Sequence, residues 1–373
     1  MATEMKILLS AKEHLLVGLT LLLVPLLAIE FYGIATMRAS HPEFAADSRM
    51  PQFVDLFTAL AFSGVIVAAR YVLTRALKPL ARIVLEPKKR DNEDRVERFT
   101  TVLFKLIYFV GITYAGYYTM GHEEWFPKSL GGHGDMKKAY YLFSEPPSAG
   151  LKRYFMVQLG YHFHSLVYMV TLSPIRNDFI EMLLHHVVTI ILIGSAFMGN
   201  YTPSGALVAL THDIGDITGL QLGIDCSLLL IVSLTYLSLC TCCYECECVD
   251  AIKSVVDTGS TFLTLVMYVA LLVSWAYTRL YVFPTELIYN AVFVLPNLTP
   301  EIPLLMLHPV NLMLTMLLVL HVYWYFLFLV MGYNLITKGV KEDIQQKCGN
   351  GSSEEKVRQQ ATAIDTASKA KHE

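Results

Sequence analysis

Long apolar runs recur along this chain, and they decide what it can fold into. A bilayer-spanning helix needs roughly 20 consecutive, mostly apolar residues. A backbone in hydrocarbon must also satisfy its own hydrogen bonds, so such runs become helices. Eight segments meet that description, near 14–36, 53–73, 101–120, 153–172, 179–199, 204–222, 257–281 and 310–334. A ninth run, 226–240, is shorter. Charged residues make up 16% of the chain, against about 25% in ordinary soluble domains. The expected fold class is therefore an all-α polytopic membrane protein with about eight transmembrane helices. The first run is too long for a signal-peptide core and lacks a clear cleavage site, so it is read as an uncleaved span. No basic face or nucleic-acid motif accompanies the net charge of −3, which argues against nucleic-acid partners.

Lysine and arginine set the expected orientation. The 74–98 connection carries Arg75, Lys78, Arg82, Lys88, Lys89, Arg90, Arg95 and Arg98, and should face the cytosol. The polar tail beyond residue 340 is poor in aromatics and is expected to be disordered and cytosolic. Eight spans satisfy both assignments. The 223–256 segment is then a cytosolic insertion, which keeps the five cysteines of "CTCCYECEC" (240–248) reduced. Those spacings are too tight for an ordinary structural zinc module. The organisation expected is two spans and a basic loop over 1–98, a main bundle over 99–340, and a tail over 341–373. Asn200 and Asn297 begin sequons on the expected lumenal side, but each sequon is followed by Pro and lies close to a span.

Chemistry-bearing residues interrupt two neighbouring spans. "DFIEMLLHHVVTIIL" (178–192) brings two adjacent histidines into an apolar run. On a helix, Asp178, Glu181 and His185 fall within about 60° of one another, and His186 is turned about 100° away. The next span carries "LTHDIGD" (210–216), whose His212, Asp213 and Asp216 fit within about 100°. Helices joined by a short loop pack as antiparallel neighbours, so these faces can meet. His162 and His164 lie about 200° apart on the preceding span and cannot both face the same site. Polar groups in hydrocarbon are costly and mark functional sites. Three readings fit: an interhelical polar clamp, an imidazole–carboxylate acid–base pair, or a metal site. The histidine boxes of membrane di-iron desaturases and hydroxylases are incomplete here, because no histidine stands three or four residues before His185.

"RNDFIEMLLHHVVTIILI" followed by "GALVALTHDIGD" resembles the Lag motif of ceramide synthases, within the TLC-domain family. Arg176, Asp178, Phe179, Met182, His185, His186, Thr189, His212, Asp213 and Asp216 match that motif position by position. "WAYTRLYVFP" (275–284), with Trp275 and Arg279, resembles the arginine-bearing span that follows. "EEWFP" (123–127) is similar to the Trp-Phe stretch of the preceding lumenal loop. The homeobox-like segment of many animal members is absent, the 223–256 insertion has no counterpart, and Gly215 stands where the family often has Ser.

The resemblance implies a TLC-type helical bundle enclosing a lipid tunnel. It implies N-acylation of a sphingoid long-chain base by a fatty acyl-CoA, with no cofactor or metal beyond the substrates. His185, His186, Asp213 and Asp216 are the implied catalytic set. Arg176, Asp178, Glu181, His212, Trp275 and Arg279 are supporting or substrate-binding, though an arginine near a helix end also snorkels. An ammonium is no nucleophile until a base takes its proton. A histidine serves as that base, or attacks the thioester to form an acyl-imidazole. Arg176 is expected at the cytosolic mouth for CoA, with Arg98 and Lys338 beside it, and Lys152 and Arg153 at the opposite end. The resemblance also implies a multi-pass endoplasmic reticulum protein, and "KAKHE" at the C-terminus resembles a dilysine retrieval signal. Homo- or heterodimer formation stays open. The rival classes are a non-enzymatic lipid-binding or sensing protein and a metal-dependent lipid hydroxylase.

Overall fold

The computed structural model describes residues 2–85, 87, 90–172, 179–217, 261–298 and 304–338. Arg176, Asp178, the 223–256 insertion with its cysteines, and the tail from 341 lie outside the described residues.

Each expected apolar segment is helical where it is described. The long helices are α1 (Ala2–Ser40), α2 (Asp55–Ala76), α3 (Glu93–Met120), α4 (Ala149–Thr171), α5 (Phe179–Met198), α6 (Thr202–Ile217), α7 (Thr261–Trp275) and α8 (Leu304–Lys338). Among the described residues there is no strand, only an isolated bridge between Pro127 and Gly134. The chain is an all-α polytopic membrane protein. Five segments are long and apolar enough to cross a bilayer: Thr20–Ser40, Asp55–Ala76, Glu93–Met120, Phe179–Met198 and Met306–Tyr333. The other three carry much of the polar chemistry. Helix α4 holds Lys152, Arg153, Gln158, His162 and His164, while α6 and α7 are short, at 16 and 15 residues.

Local signals start the helices where the sequence supplies them. Asn92 accepts a hydrogen bond from the Arg95 amide at 3.2 Å, and Glu93 and Asp94 complement the dipole of α3's first turn. Ser148 caps α4 in the same way through the Leu151 amide. Beyond Trp275 the winding widens into a π-helix over Ala276–Ile288 and Asn290–Val294. π-Helical winding is rare and is concentrated at functional sites. Pro284, which has no amide hydrogen to donate, sits inside this wider coil.

Packing puts α4 near the centre. It lies along α2, touches α3 and α5, and reaches α6, while α8 closes the bundle against α1, α5 and the π-helix. Gly160 marks the closest approach of α4 to α2. A Cβ there would come within 2.8 Å of the Ala59 carbonyl oxygen and 3.0 Å of the Ser63 amide nitrogen. The loop between α3 and α4 folds back on the bundle through buried Trp125 and Phe126. In it, the Lys138 ammonium 2.6 Å away holds the Glu124 carboxyl below its ordinary range.

The turn between α5 and α6 is equally committed. Asn200 adopts the left-handed conformation (φ 57°), is buried, and donates its amide to the carbonyls of Phe143 and Glu145, both at 2.7 Å. Arg38 of α1 donates to the Met198 carbonyl at 3.1 Å and ties the same corner down.

The α2–α4 contact yields a test. Gly160→Val forces side-chain atoms into backbone, and overpacking costs about 1–3 kcal/mol. The variant should show a lower unfolding temperature in detergent than the wild type. Gly111→Ala, at a position with open space around it, should not.

Candidate active site

Helices α4, α5, α6 and α8 enclose a cavity of about 30 Å³, lined by His162, His185, Thr189, Leu192, Ile193, Val208, Ala209, His212, Asp213 and Leu317. That is room for a water or two. Histidines from three different helices therefore meet one carboxyl group, inside walls that apart from Thr189 are aliphatic.

Asp213 is held from α4. Tyr154 donates its hydroxyl to Asp213 Oδ2 at 3.1 Å, and Gln158 Nε2 donates to the same oxygen and lies 2.9 Å from the Tyr154 hydroxyl. Tyr154 and Gln158 are four residues apart, so they share one face of α4. A buried carboxyl group without such donors costs more than most folds tolerate.

His212 has a defined tautomer. Its Nδ1 lies 2.6 Å from the Val208 carbonyl oxygen one turn earlier in α6. A carbonyl only accepts, so Nδ1 carries the hydrogen and Nε2 is left as an acceptor. Nε2 is buried and makes no hydrogen bond among the described residues. The imidazole faces the cavity with a lone pair available to take a proton.

His185 and His186 divide as their helical positions require. His185 lines the cavity, and its ring stands edge-on to Trp324 of α8 at 6.1 Å. His186 is equally buried but belongs to the other side of α5, within electrostatic range of Lys105 on α3. His162 and His164 split in the same way: His162 lines the cavity, and His164 turns toward Arg70 and Lys105.

Arg279 does not snorkel. It is 2% exposed, donates to the His212 carbonyl at 3.3 Å, and lies over the Trp275 ring at 4.3 Å. The π-helical winding sets it opposite α6. Trp275 in turn donates to the His321 carbonyl at 3.1 Å.

The other expected residues stand apart. Glu181 is half-buried in the first turn of α5 and does not line the cavity. Asp216 lies on the last turn of α6, with its side chain outside the described residues. Lys152 is taken up by Asp55 at 2.7 Å.

Four participants were not singled out from the sequence. Tyr154 and Gln158 position Asp213, and His321 and Trp324 come from α8. His321 is fully buried, 5.0 Å from the His212 ring and 5.4 Å from that of Phe283. The signal for His321 was available, since an imidazole in the apolar run of α8 meets the criterion that drew attention to His185. Among the described residues no group of three or more His, Cys, Asp or Glu is placed to hold a metal ion.

Residues 98–219, from α3 to just past the end of α6, match the family model described as the TLC domain. The chain is 27% identical to ceramide synthase 4 of Bos taurus over 269 residues, 69% of this chain and 58% of that protein. It is 24% identical to ceramide synthase LOH2 of Arabidopsis thaliana over 289 residues, 75% of this chain and 85% of that one. It is 25% identical to ceramide synthase hyl-2 of Caenorhabditis elegans over 286 residues, 72% and 74%. The match thus spans less than two thirds of the bovine protein's length.

Arg279 offers a test independent of any reaction. Arg279→Leu removes the charged donor that adds to the intrahelical bond on the His212 carbonyl, at a cost of about 1.5–3 kcal/mol. Arg279→Lys keeps the charge but loses the planar stacking on Trp275. Both variants should unfold at lower temperature in detergent, and a wild-type midpoint for Arg279→Leu would show that the contact contributes nothing.

Proposed function

We propose that this TLC-domain chain is a ceramide synthase, an N-acyltransferase that joins a fatty acyl group to the amine of a sphingoid base. One observation carries the reading: His185, His212 and Asp213 converge from two consecutive helices on one buried cavity, whose other walls are mostly aliphatic. The similarity to ceramide synthases from mammal, plant and nematode supports it. We propose further that the acyl donor is a fatty acyl-CoA, that all eight long helices cross the membrane, and that the chain is a multi-pass protein of the endoplasmic reticulum with a cytosolic C-terminus.

Each residue has a role in that reaction. The acyl carbonyl carbon enters the cavity beside His185. The His185 imidazole attacks that carbon, the carbon–sulfur bond breaks, and the sulfur leaves with its electrons and the imidazole proton as the thiol of CoA, giving a neutral acyl-imidazole. The ammonium of the base docks against Asp213, which Tyr154 and Gln158 keep in place. His212 takes a proton from the ammonium at Nε2. The freed amine attacks the acyl carbon, the bond from that carbon to the His185 nitrogen breaks, and the amine's second proton passes to that ring nitrogen, giving the amide and restoring neutral His185. Tyr154 and Gln158 are positioning residues. An apolar cavity restricts water, so the acyl group passes to the amine rather than to hydroxide.

A general base is worth about 10²–10⁴-fold in rate. His185→Ala, His212→Ala and Asp213→Ala should each lose at least that much N-acylation in membranes supplied with sphingoid base and acyl-CoA, while the protein still accumulates. Wild-type turnover in His185→Ala or Asp213→Ala would end the assignment. The covalent step has its own readout in the intact mass after incubation with acyl-CoA alone. His185→Ala should gain no acyl mass. His212→Ala should gain it and release it slowly when base is added. A fully active enzyme that never carries the adduct would leave direct attack by the amine, with His185 as the base.

A further inference from the structure

A threonine inside a helix can turn its hydroxyl back onto the carbonyl four residues earlier. This bundle uses that bond repeatedly. Thr211 donates to the Leu207 carbonyl at 2.7 Å, Thr278 to Ser274 at 2.8 Å, Thr171 to Val167 at 2.7 Å and Thr315 to Asn311 at 2.8 Å. Thr189 of α5 does not. Its Oγ1 is buried and makes no hydrogen bond among the described residues. Thr113 of α3 is in the same state, but it does not line the reactive cavity, whereas Thr189 does. Among the described residues Thr189 is the one hydroxyl on that wall.

A buried hydroxyl left unpaired is costly. Its position says what would pair it. Residues four apart on a helix are neighbours, with Cβ atoms about 5–6 Å apart. Thr189 therefore stands one turn from His185, and both line the same cavity. Other polar groups of the cavity have their own tasks. Asp213 accepts from Tyr154 and Gln158, and His212 presents an acceptor at Nε2. An acyl carbon under attack beside His185 also needs a donor for its oxygen, and a hydroxyl supplies one. The indole Nε1 of Trp324 is a second buried donor that makes no hydrogen bond among the described residues, but Trp324 does not line the cavity.

We infer that Thr189 is a further catalytic residue, whose hydroxyl donates to the acyl carbonyl oxygen while that carbon is attacked. This rests on the acyltransferase reading and deepens it. As the nucleophile adds, the electron pair of the carbonyl π bond moves onto the oxygen. It returns to the carbon–oxygen bond when the carbon–sulfur bond breaks. The Thr189 proton stays on Oγ1 throughout and is not transferred. The same oxyanion forms whether His185 or the amine attacks, so the role is common to both routes. A donor held in place beforehand favours the charged tetrahedral state over the flat carbonyl.

Thr189→Val keeps the shape of the side chain and replaces the hydroxyl with a methyl group. Loss of one oxyanion donor lowers kcat about 10²–10³-fold. Thr189→Val should fall in that range with sphingoid base and acyl-CoA both saturating, while the KM values stay near those of the wild type. Thr189→Ser, which keeps the hydroxyl, should retain most of the activity. A second readout compares the acyl-CoA with its dithioester analogue, in which sulfur, a weak acceptor, replaces the carbonyl oxygen. The wild type's preference in kcat for the oxygen compound should shrink about tenfold in Thr189→Val, the size of one hydrogen bond to a charged group. A structural hydroxyl would instead lower the unfolding temperature and slow both donors in proportion, and that result overturns the inference. So does an effect confined to the KM of the sphingoid base. Should Thr189→Val fail to accumulate, Thr189→Ala gives the same comparison without added bulk. An active wild type matched by Thr189→Val overturns this inference alone. A wild type that acylates no sphingoid base overturns the acyltransferase reading, and this inference with it.

Discussion

A carboxyl group surrounded by hydrocarbon must be held by its neighbours, and Asp213 makes that demand on the whole bundle. Its donors, Tyr154 and Gln158, come from α4, so α4 and α6 are fixed in register by one oxygen atom. Helix α5 is then placed by its short turn into α6. The π-helix is placed by Arg279, which reaches the carbonyl of the residue next to Asp213. Rotating any of these helices would leave a polar group stranded. A membrane bundle gains little from apolar contact alone, since lipid tails are equally apolar. Polar contacts of this kind therefore carry much of the specificity of assembly.

Helix α4 serves two environments at once. His162 and His164 are two residues apart, and the helical turn sends one into the cavity and the other toward Arg70 and Lys105. Adjacent His185 and His186 do the same on α5. Paired histidines in these spans thus act as dividers: one member of each pair lines the cavity, and its neighbour turns toward the cationic side of the bundle.

The helices, and which of the candidate residues share a helical face, were legible in the sequence because they depend on local pattern. Apolar runs fix helices in a bilayer whatever their partners, and the 100° step predicted how His185 and His186, and His162 and His164, would separate. What escaped depends on tertiary partners. Nothing in "LKRYFMVQLG" marks Tyr154 and Gln158 as ligands of a carboxyl group on another helix. The π-helical winding after Trp275 packs against α6 and α8, and it carries Arg279 from an expected end-of-span position into an internal contact. Glu181 shares a helical face with His185 yet stays half-buried and off the cavity, because four residues separate them along the axis as well as around it.

The turn at Asn200 bears on the biogenesis of the chain. An asparagine that opens a sequon is glycosylated through its side-chain nitrogen while the segment is extended and reachable. Here that nitrogen is committed to two carbonyls in a left-handed turn sealed under Phe143 and Tyr201. Folding of this corner and transfer of a sugar are mutually exclusive events at the same atom. A glycan at Asn200 would therefore mark molecules in which the α5–α6 hairpin had not closed.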